Sequence, residues 1–231
     1  MERDKSPERV REEHFQILGS DLGPLYNALQ HEVTWLYAKW LEYRKLYAKS
    51  PERIDLLNEI AAFFFRVVQD VLLEDILLHL ARLIDPPKSA NKPNLTIERL
   101  PGLIADPALA QDVRKLVQNA ANRCSFAREW RHRHLAYRDL DLAMGSLQAI
   151  PLPSVSRQAV GEALAALAAV LNRLERQYFD KEVGFEHFFV VSDAEALVHH
   201  LTVAARYDRH QHKRLTQGKL LPEDFEPPPQ T

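Results

Sequence analysis

The residues best able to do chemistry crowd into one stretch, Arg128-Glu-Trp-Arg131-His132-Arg133-His134-Leu-Ala-Tyr137-Arg138-Asp139. Four arginines and two histidines fall between Arg128 and Arg138, in a chain whose 30 Lys and Arg nearly balance 32 Asp and Glu. On a helix, Arg131, His134 and Arg138 share one ridge at steps of three and four. Arg128 extends that ridge backwards, and Tyr137 adjoins it. A guanidinium is permanently charged and binds phosphate oxygens bidentately. An imidazole exchanges protons near neutrality, with a reference pKa of about 6.5. Together they are the minimum for cutting RNA without a metal. One group takes the proton of a ribose 2′-hydroxyl, and an arginine holds the charge developing on the phosphorus oxygens. The competing reading is a solvated basic face near a helix C-terminus, which the helix dipole favours.

A second group of cations, Arg206-Tyr-Asp-Arg209-His210-Gln-His212-Lys213-Arg214, closes the last helix. The dipole accounts for them too; if RNA is bound, Arg209, Lys213 and Arg214 supply sequence-independent phosphate contacts. Arg82 and Asp85, three apart, read as an intrahelical brace. Asp75 and His79, beside Glu74, have the spacing to turn a polar group into a bundle interior. The aromatic run Trp35, Tyr37, Trp40, Tyr43 and Tyr47 fits core and dimer interface better than a base-stacking platform. Cys124 reads as a small core residue.

Whole classes drop out. The chain has 7 glycines against 14 prolines and no G-x-G-x-x-G or G-x-x-x-x-G-K-[ST] string, so no glycine-rich phosphate cradle exists. A single cysteine precludes an internal disulfide and any multi-cysteine zinc site. A carboxylate di-metal bundle needs two Glu-x-x-His steps, and Glu129–His132 is the one such step here; no metal or cofactor is expected. A formal charge of -2 argues against a strongly basic nucleic-acid binder while leaving room for a local patch. The charged start, Met1-Glu-Arg-Asp-Lys, lacks a signal core, and the longest apolar run, Ala163 to Leu171, is half a membrane span. A cytoplasmic, membrane-free protein is expected.

The elements that must position these residues are helices. Ser50-Pro51-Glu52 is a helix start, followed by Leu56, Ile60, Phe63, Phe64, Val67, Val71, Ile76, Leu80 and Leu83 at helical steps, until Asp85-Pro86-Pro87 stops the pattern. Such a helix, roughly 30 residues and ~45–50 Å long, is expected to be the central rod of a bundle. Leu25 to Lys49 precedes it. A loop from Pro86 to Asn94 and a short helical turn at Thr96 follow it. Asp106-Pro107 caps a third helix expected to run to about Tyr137, and a fourth spans about Arg157 to Phe179. Ser192-Asp-Ala-Glu195 reads as a capping box opening a last helix to about Gln217. Phe185 to Ser192 is the one strand-like stretch, too isolated for a sheet. The fold expected is all-α: an antiparallel bundle over 20–182, an N-terminal extension over 1–19, a C-terminal helix within 183–221 packed on the bundle, and a disordered tail over 222–231.

The string Arg131-His132-x-His134-Leu135-Ala136-Tyr137-x-Asp139 resembles the signature of the HEPN superfamily of helical, often RNase, domains. The aromatic helix Trp35 to Tyr47, the Leu80-Ala-Arg82-Leu-Ile-Asp85 helix ending and the Asn94-Leu-Thr-Ile97 lead into the next helix resemble its AbiU-like abortive-infection branch. The resemblance covers roughly residues 20–180. It implies a four-helix core pairing into a homodimer, with the motifs of two protomers lining one cleft. It further implies metal-independent RNA cleavage as a toxin or phage-defence effector, with an antitoxin as a candidate partner. Arg131 matches the family arginine and His132 the adjoining polar residue, while Tyr137 stands where a histidine is expected. Tyrosine is a poor base at neutral pH. Three readings remain open: His134 has taken over one turn earlier, Tyr137 donates a hydrogen bond, or the site is silent and the chain is an interaction module. A tyrosine there is also a candidate acceptor of a nucleotidyl group. The working assignment is Arg131 and His134 as the catalytic pair, His132 and Tyr137 orienting substrate, and Arg128, Arg133 and Arg138 binding it.

Overall fold

A computed structural model describes residues 6–146, 149–187, 192–219 and 221–225. Helices dominate, as expected: α1 (Pro7–Tyr47), α2 (Pro51–Leu83), α3 (Pro107–Arg123), α4 (Ser125–Trp130), α5 (Leu140–Ala143), α6 (Arg157–Tyr178) and α7 (Ala194–Thr216). Short-range chemistry sets many of their starts. Pro107 occupies the first turn of α3 behind Asp106, whose carboxylate accepts from the Ala108 N–H at 2.9 Å. Ser156 caps α6 through the Ala159 N–H at 3.0 Å. Among the described residues, no helix is long and apolar enough to cross a membrane.

Contacts group the chain into two compact units, Met1–Trp40 with Leu72–Phe188 and Leu41–Val71 with Phe189–Thr231. This grouping cuts through α1 and α2 and differs from the sequential division read from the sequence. The first unit has a core in which Leu29, Val33 and Leu36 of α1, Ile76, Leu77 and Leu80 of α2, Val113 and Val117 of α3, and Leu167, Val170 and Leu171 of α6 are buried. The presumed N-terminal extension belongs to it. Gly19 takes a left-handed backbone (φ 82) that breaks α1, and a Cβ on Gly23 would lie 2.6 Å from the His14 carbonyl oxygen. His14 is thereby buried, its Nδ1 3.3 Å from Asn27 Oδ1 and its Nε2 3.9 Å from the fully buried Glu175. Tyr26 donates to that carboxylate at 2.6 Å.

The second unit has a smaller core of Leu46, Leu57, Phe65, Ala194 and Val198. Here the expected cap of the last helix moves by one residue. Asp193, not Ser192, caps α7, accepting from the Glu195 and Ala196 N–H groups at 3.0 and 3.1 Å. Glu195 is drawn away from a capping box by Arg53, which grips both its oxygens at 3.0 and 2.9 Å, and by Lys49 at 2.8 Å. These cations hold its carboxyl down at about 2.

Several expectations need correction. The third helix does not run unbroken to Tyr137: α3 ends at Arg123, and the chain restarts as α4 and passes into a π turn, Arg131–Leu135. The rod α2 bends at Ala61 (φ -160, ψ 69), and Phe63, Phe64, Val67 and Val71, expected in a core, are exposed. The presumed loop after α2 contains a two-residue antiparallel pair, β1 (Lys88–Ser89) and β2 (Lys92–Pro93), turned by Ala90 and Asn91 at positive φ. Of the strand-like stretch 185–192, residues 188–191 lie outside the described residues. The tail expected to be disordered from 222 opens with a 3-10 turn, Pro222–Phe225, held by an Arg214–Asp224 ion pair at 2.5 Å. Residues 226–231 lie outside the described residues.

Candidate functional site

The basic motif is built around the end of α2. The last carbonyls of a helix have no partner within it, and here side chains from elsewhere supply them. Thr96 donates its hydroxyl to the Leu83 carbonyl at 2.9 Å, and Arg128 donates to the Ile84 carbonyl at 2.5 Å. Arg131 Nη1 pairs with the Asp85 carboxylate. Asp85 is thus the partner of Arg131 across 46 residues, not of Arg82, which points to solvent. Cations at a helix C-terminus also complement its dipole.

The π turn is closed by the Ala136 N–H donating to the Arg131 carbonyl at 2.8 Å, a five-residue step. Such a turn inserts one extra residue and rotates the side chains that follow, so the ridge drawn on a regular helix does not extend to Arg138. Buried Ala127 and Cys124 seat α4 from below; burial pushes the Cys124 thiol up to about 12, which makes it inert as a nucleophile at neutral pH. Trp130 fixes the next segment, its indole N–H donating to the Pro153 carbonyl at 2.9 Å.

His134 packs edge-on against Trp130, ring centroids 5.3 Å apart, and its Nε2 stands 3.8 Å from Glu74 Oε1. Its side chain keeps 28% of its surface exposed. Arg133 turns to its own segment, to the Ile150 carbonyl at 2.5 Å and to Asp139 at 3.2 Å. The Leu142 N–H and the Arg133 guanidinium hold the Asp139 carboxyl below its ordinary value. His132, Tyr137 and Arg138 are exposed, Tyr137 to 72%.

Of the residues singled out in the sequence, the structure brings Arg128, Arg131 and His134 onto α2 and its C-terminal end, each against a named acceptor or carboxylate. Arg133 is engaged otherwise. Arg209, Lys213 and Arg214 stand on α7 in the other compact unit, where Arg209 faces Glu59 at 3.4 Å and Arg214 holds Asp224. Asp75 and His79 turn out to be structural. Lys39 donates to Asp75 at 2.7 Å and to His79 Nδ1 at 3.2 Å, and burial lowers the pKa of His79. Two site residues escaped the sequence reading in their real roles, Glu74 and Asp85. Glu74 lies within α2 and Asp85 two residues beyond its last residue, Leu83, so no helical spacing in the sequence signals that they serve one site. Among the described residues, no three His, Cys, Asp or Glu side chains are grouped so as to hold a metal ion.

Comparison with curated proteins and with solved structures finds no match. The sequence model of the AbiU2 family of HEPN domains matches residues 19–213. The match runs from the first helix through the motif to α7, and the chain belongs to the AbiU2 family of HEPN domains.

Proposed function

We propose that this AbiU2-type HEPN domain is a metal-independent endoribonuclease acting as an abortive-infection effector, with Arg131 and His134 as its catalytic pair. The observation that carries the reading is their common anchorage. Both leave one π turn, and each meets a carboxylate, Glu74 within α2 for the imidazole and Asp85 just past the end of α2 for the guanidinium. A carboxylate beside an imidazole stabilises the imidazolium that forms when the ring accepts a proton. In the proposed reaction His134 takes the 2′-hydroxyl proton, the 2′-oxygen attacks phosphorus, and the bond to the 5′-oxygen breaks. The proton then passes to that 5′-oxygen, leaving a 2′,3′-cyclic phosphate and a 5′-hydroxyl. Arg131 spends one terminal nitrogen on Asp85, and a guanidinium has five N–H donors, so donors remain for the phosphate. Exposed His132, Tyr137 and Arg138 contact the flanking backbone, and the resemblance-derived homodimer supplies the second wall of the cleft.

The test is cleavage of total RNA in the presence of a chelator. Wild type should cut, and His134→Ala and Arg131→Ala should each lose about 10²–10⁴-fold of the rate, the usual worth of a general base or a charge-holding donor. Wild-type protein that leaves RNA intact ends the proposal.

A second reading has its own support. The Asp85 contact on Arg131, together with a tyrosine where the family histidine is expected, fits a silent helical module that binds an antitoxin or another partner. Under that reading no variant changes RNA, while partner capture survives Arg131→Ala.

A further inference from the structure

Of the aromatic run on α1, Tyr37 and Trp40 are buried as a core stripe requires, but Trp35 is 55% exposed and belongs to no core. Its indole N–H donates to His31 Nε2 at 3.0 Å, one turn back, and the two rings meet edge-on. The one polar atom of the ring is thus satisfied within its own helix, and the ring is held while its surface faces water. An aromatic ring fixed in this way loses little rotamer freedom when something flat stacks on it.

Its place beside α2 says what that is. His79 of α2 is met from one turn before Trp35 and from one turn after it, by Glu32 at 3.9 Å from Nε2 and by Lys39 at 3.2 Å from Nδ1, so Trp35 stands level with it. At 3.6 residues per turn, Arg82 lies about 60° around α2 from His79 and about 80° from Glu74, between the two. Glu74 is the carboxylate that His134 faces, and Asp85, the partner of Arg131, follows Arg82 by one turn of chain. Trp35 and the Arg131–His134 pair therefore flank the same outer face of α2, separated by about the 10–12 Å width of one helix, with Arg82 between them. Asp75 on this face is paired with Lys39 at 2.7 Å and Asp85 with Arg131. Arg82 is exposed and, among the described residues, makes no hydrogen bond or ion pair. We propose that this face takes an unpaired nucleotide flanking the cleaved bond, its base stacked on Trp35 and its phosphate held by Arg82, which makes single-stranded RNA the substrate class. The inference rests on the RNA-cutting reading and adds a base-binding subsite to it. A planar base with a phosphate beside it matches a held indole beside an uncommitted guanidinium. A duplex keeps its bases stacked on one another and offers none to the ring.

Fluorescence anisotropy of the full chain with a labelled single-stranded oligonucleotide, 2′-O-methylated so that it cannot be cut, tests the subsite. Trp35→Ala should raise the dissociation constant about 5-fold to 150-fold, the worth of one stacked base, with helicity unchanged because the ring is exposed. Trp35→Phe should keep most of the affinity. Arg82→Gln should lower the slope of log affinity against log salt by about 0.7, one phosphate contact on a single strand. Wild type should bind an abasic strand of the same length more weakly, and Trp35→Ala should no longer tell the two strands apart; an indole that merely braces α1 would leave that preference intact. A Trp35→Ala variant that binds as tightly as wild type, or that keeps the full preference for a strand with bases, overturns the proposal. Cleavage of unmodified RNA is scored separately. Binding that depends on Trp35 without any cleavage ends the nuclease reading and leaves the subsite, whereas cleavage with undiminished kcat/KM in Trp35→Ala ends the subsite and leaves the nuclease.

Discussion

The two ends of α2 are alike in sequence and opposite in fate. Both repeat apolar residues at helical steps, Phe63-Val67-Val71 in one stretch and Ile76-Leu80-Leu83 in the other. The second set is buried, with Leu80 fully enclosed, and the first faces water. Periodicity reports that a helix has an apolar side; it does not report that the same chain supplies the surface to cover it. The ends also differ in how they are fastened. The C-terminal end is closed by Thr96, Arg128 and Arg131, side chains from later in the chain. The N-terminal end is fastened by Arg53 and its neighbour Lys49 on Glu195, over a core of five buried residues.

Truncation gives the largest contrast. Leu80→Ala removes a fully buried side chain and should cost about 2–5 kcal/mol, read from urea unfolding of the dilute protein. Phe63→Ala, a larger deletion in atoms, should stay within about 0.5 kcal/mol in the dilute protomer because the ring is already in water. Equal losses at the two positions would mean that the Phe63 ring is covered in the isolated chain.

Breaking the polar closure should come next. Asp85→Ala leaves the Arg131 guanidinium without its carboxylate at a half-buried site and should destabilise by roughly 1–3 kcal/mol. Arg82→Ala should be nearly silent, since that side chain is exposed. Similar losses from the two variants would restore the intrahelical brace read from the sequence.

That contrast also marks what could be read in advance. Features fixed within four residues were legible: the Pro51 start, Asp106-Pro107, and the all-helical class itself. The motif was found because its residues are contiguous. Its partners were not, because Asp85 and Glu74 meet it across 46 and 60 residues of chain, a relation set by packing. The break after Arg123 has no glycine or proline to announce it, and a π turn has no sequence signal in a single chain. With the ridge misdrawn by that turn, Arg138 was grouped with residues it does not follow. The shift of the α7 cap from Ser192 to Asp193 has the same origin. Glu195 was the expected return contact of a capping box, and two cations from before and within α2 outbid the backbone N–H for it.

The smallest effect isolates that N-terminal fastening through pH. Arg53 and Lys49 hold the Glu195 carboxyl at about 2, against 4.5 for the free group. A carboxyl depressed in the folded state binds fewer protons there than when unfolded, so its stabilisation is complete above about 4.5 and disappears as pH falls towards 2. The side chain is 37% exposed, and solvent screening keeps the pair below about 1 kcal/mol. Glu195→Gln should therefore unfold slightly earlier than wild type near neutral pH, and the two curves should converge as the buffer is taken from about pH 5 to about pH 2. Raising salt at neutral pH should shrink the same gap, whereas the Leu80→Ala loss should be indifferent to both changes. A Glu195→Gln deficit that persists at pH 2 would assign the side chain a packing role, and the two ends of α2 would then differ in the size of their cores alone.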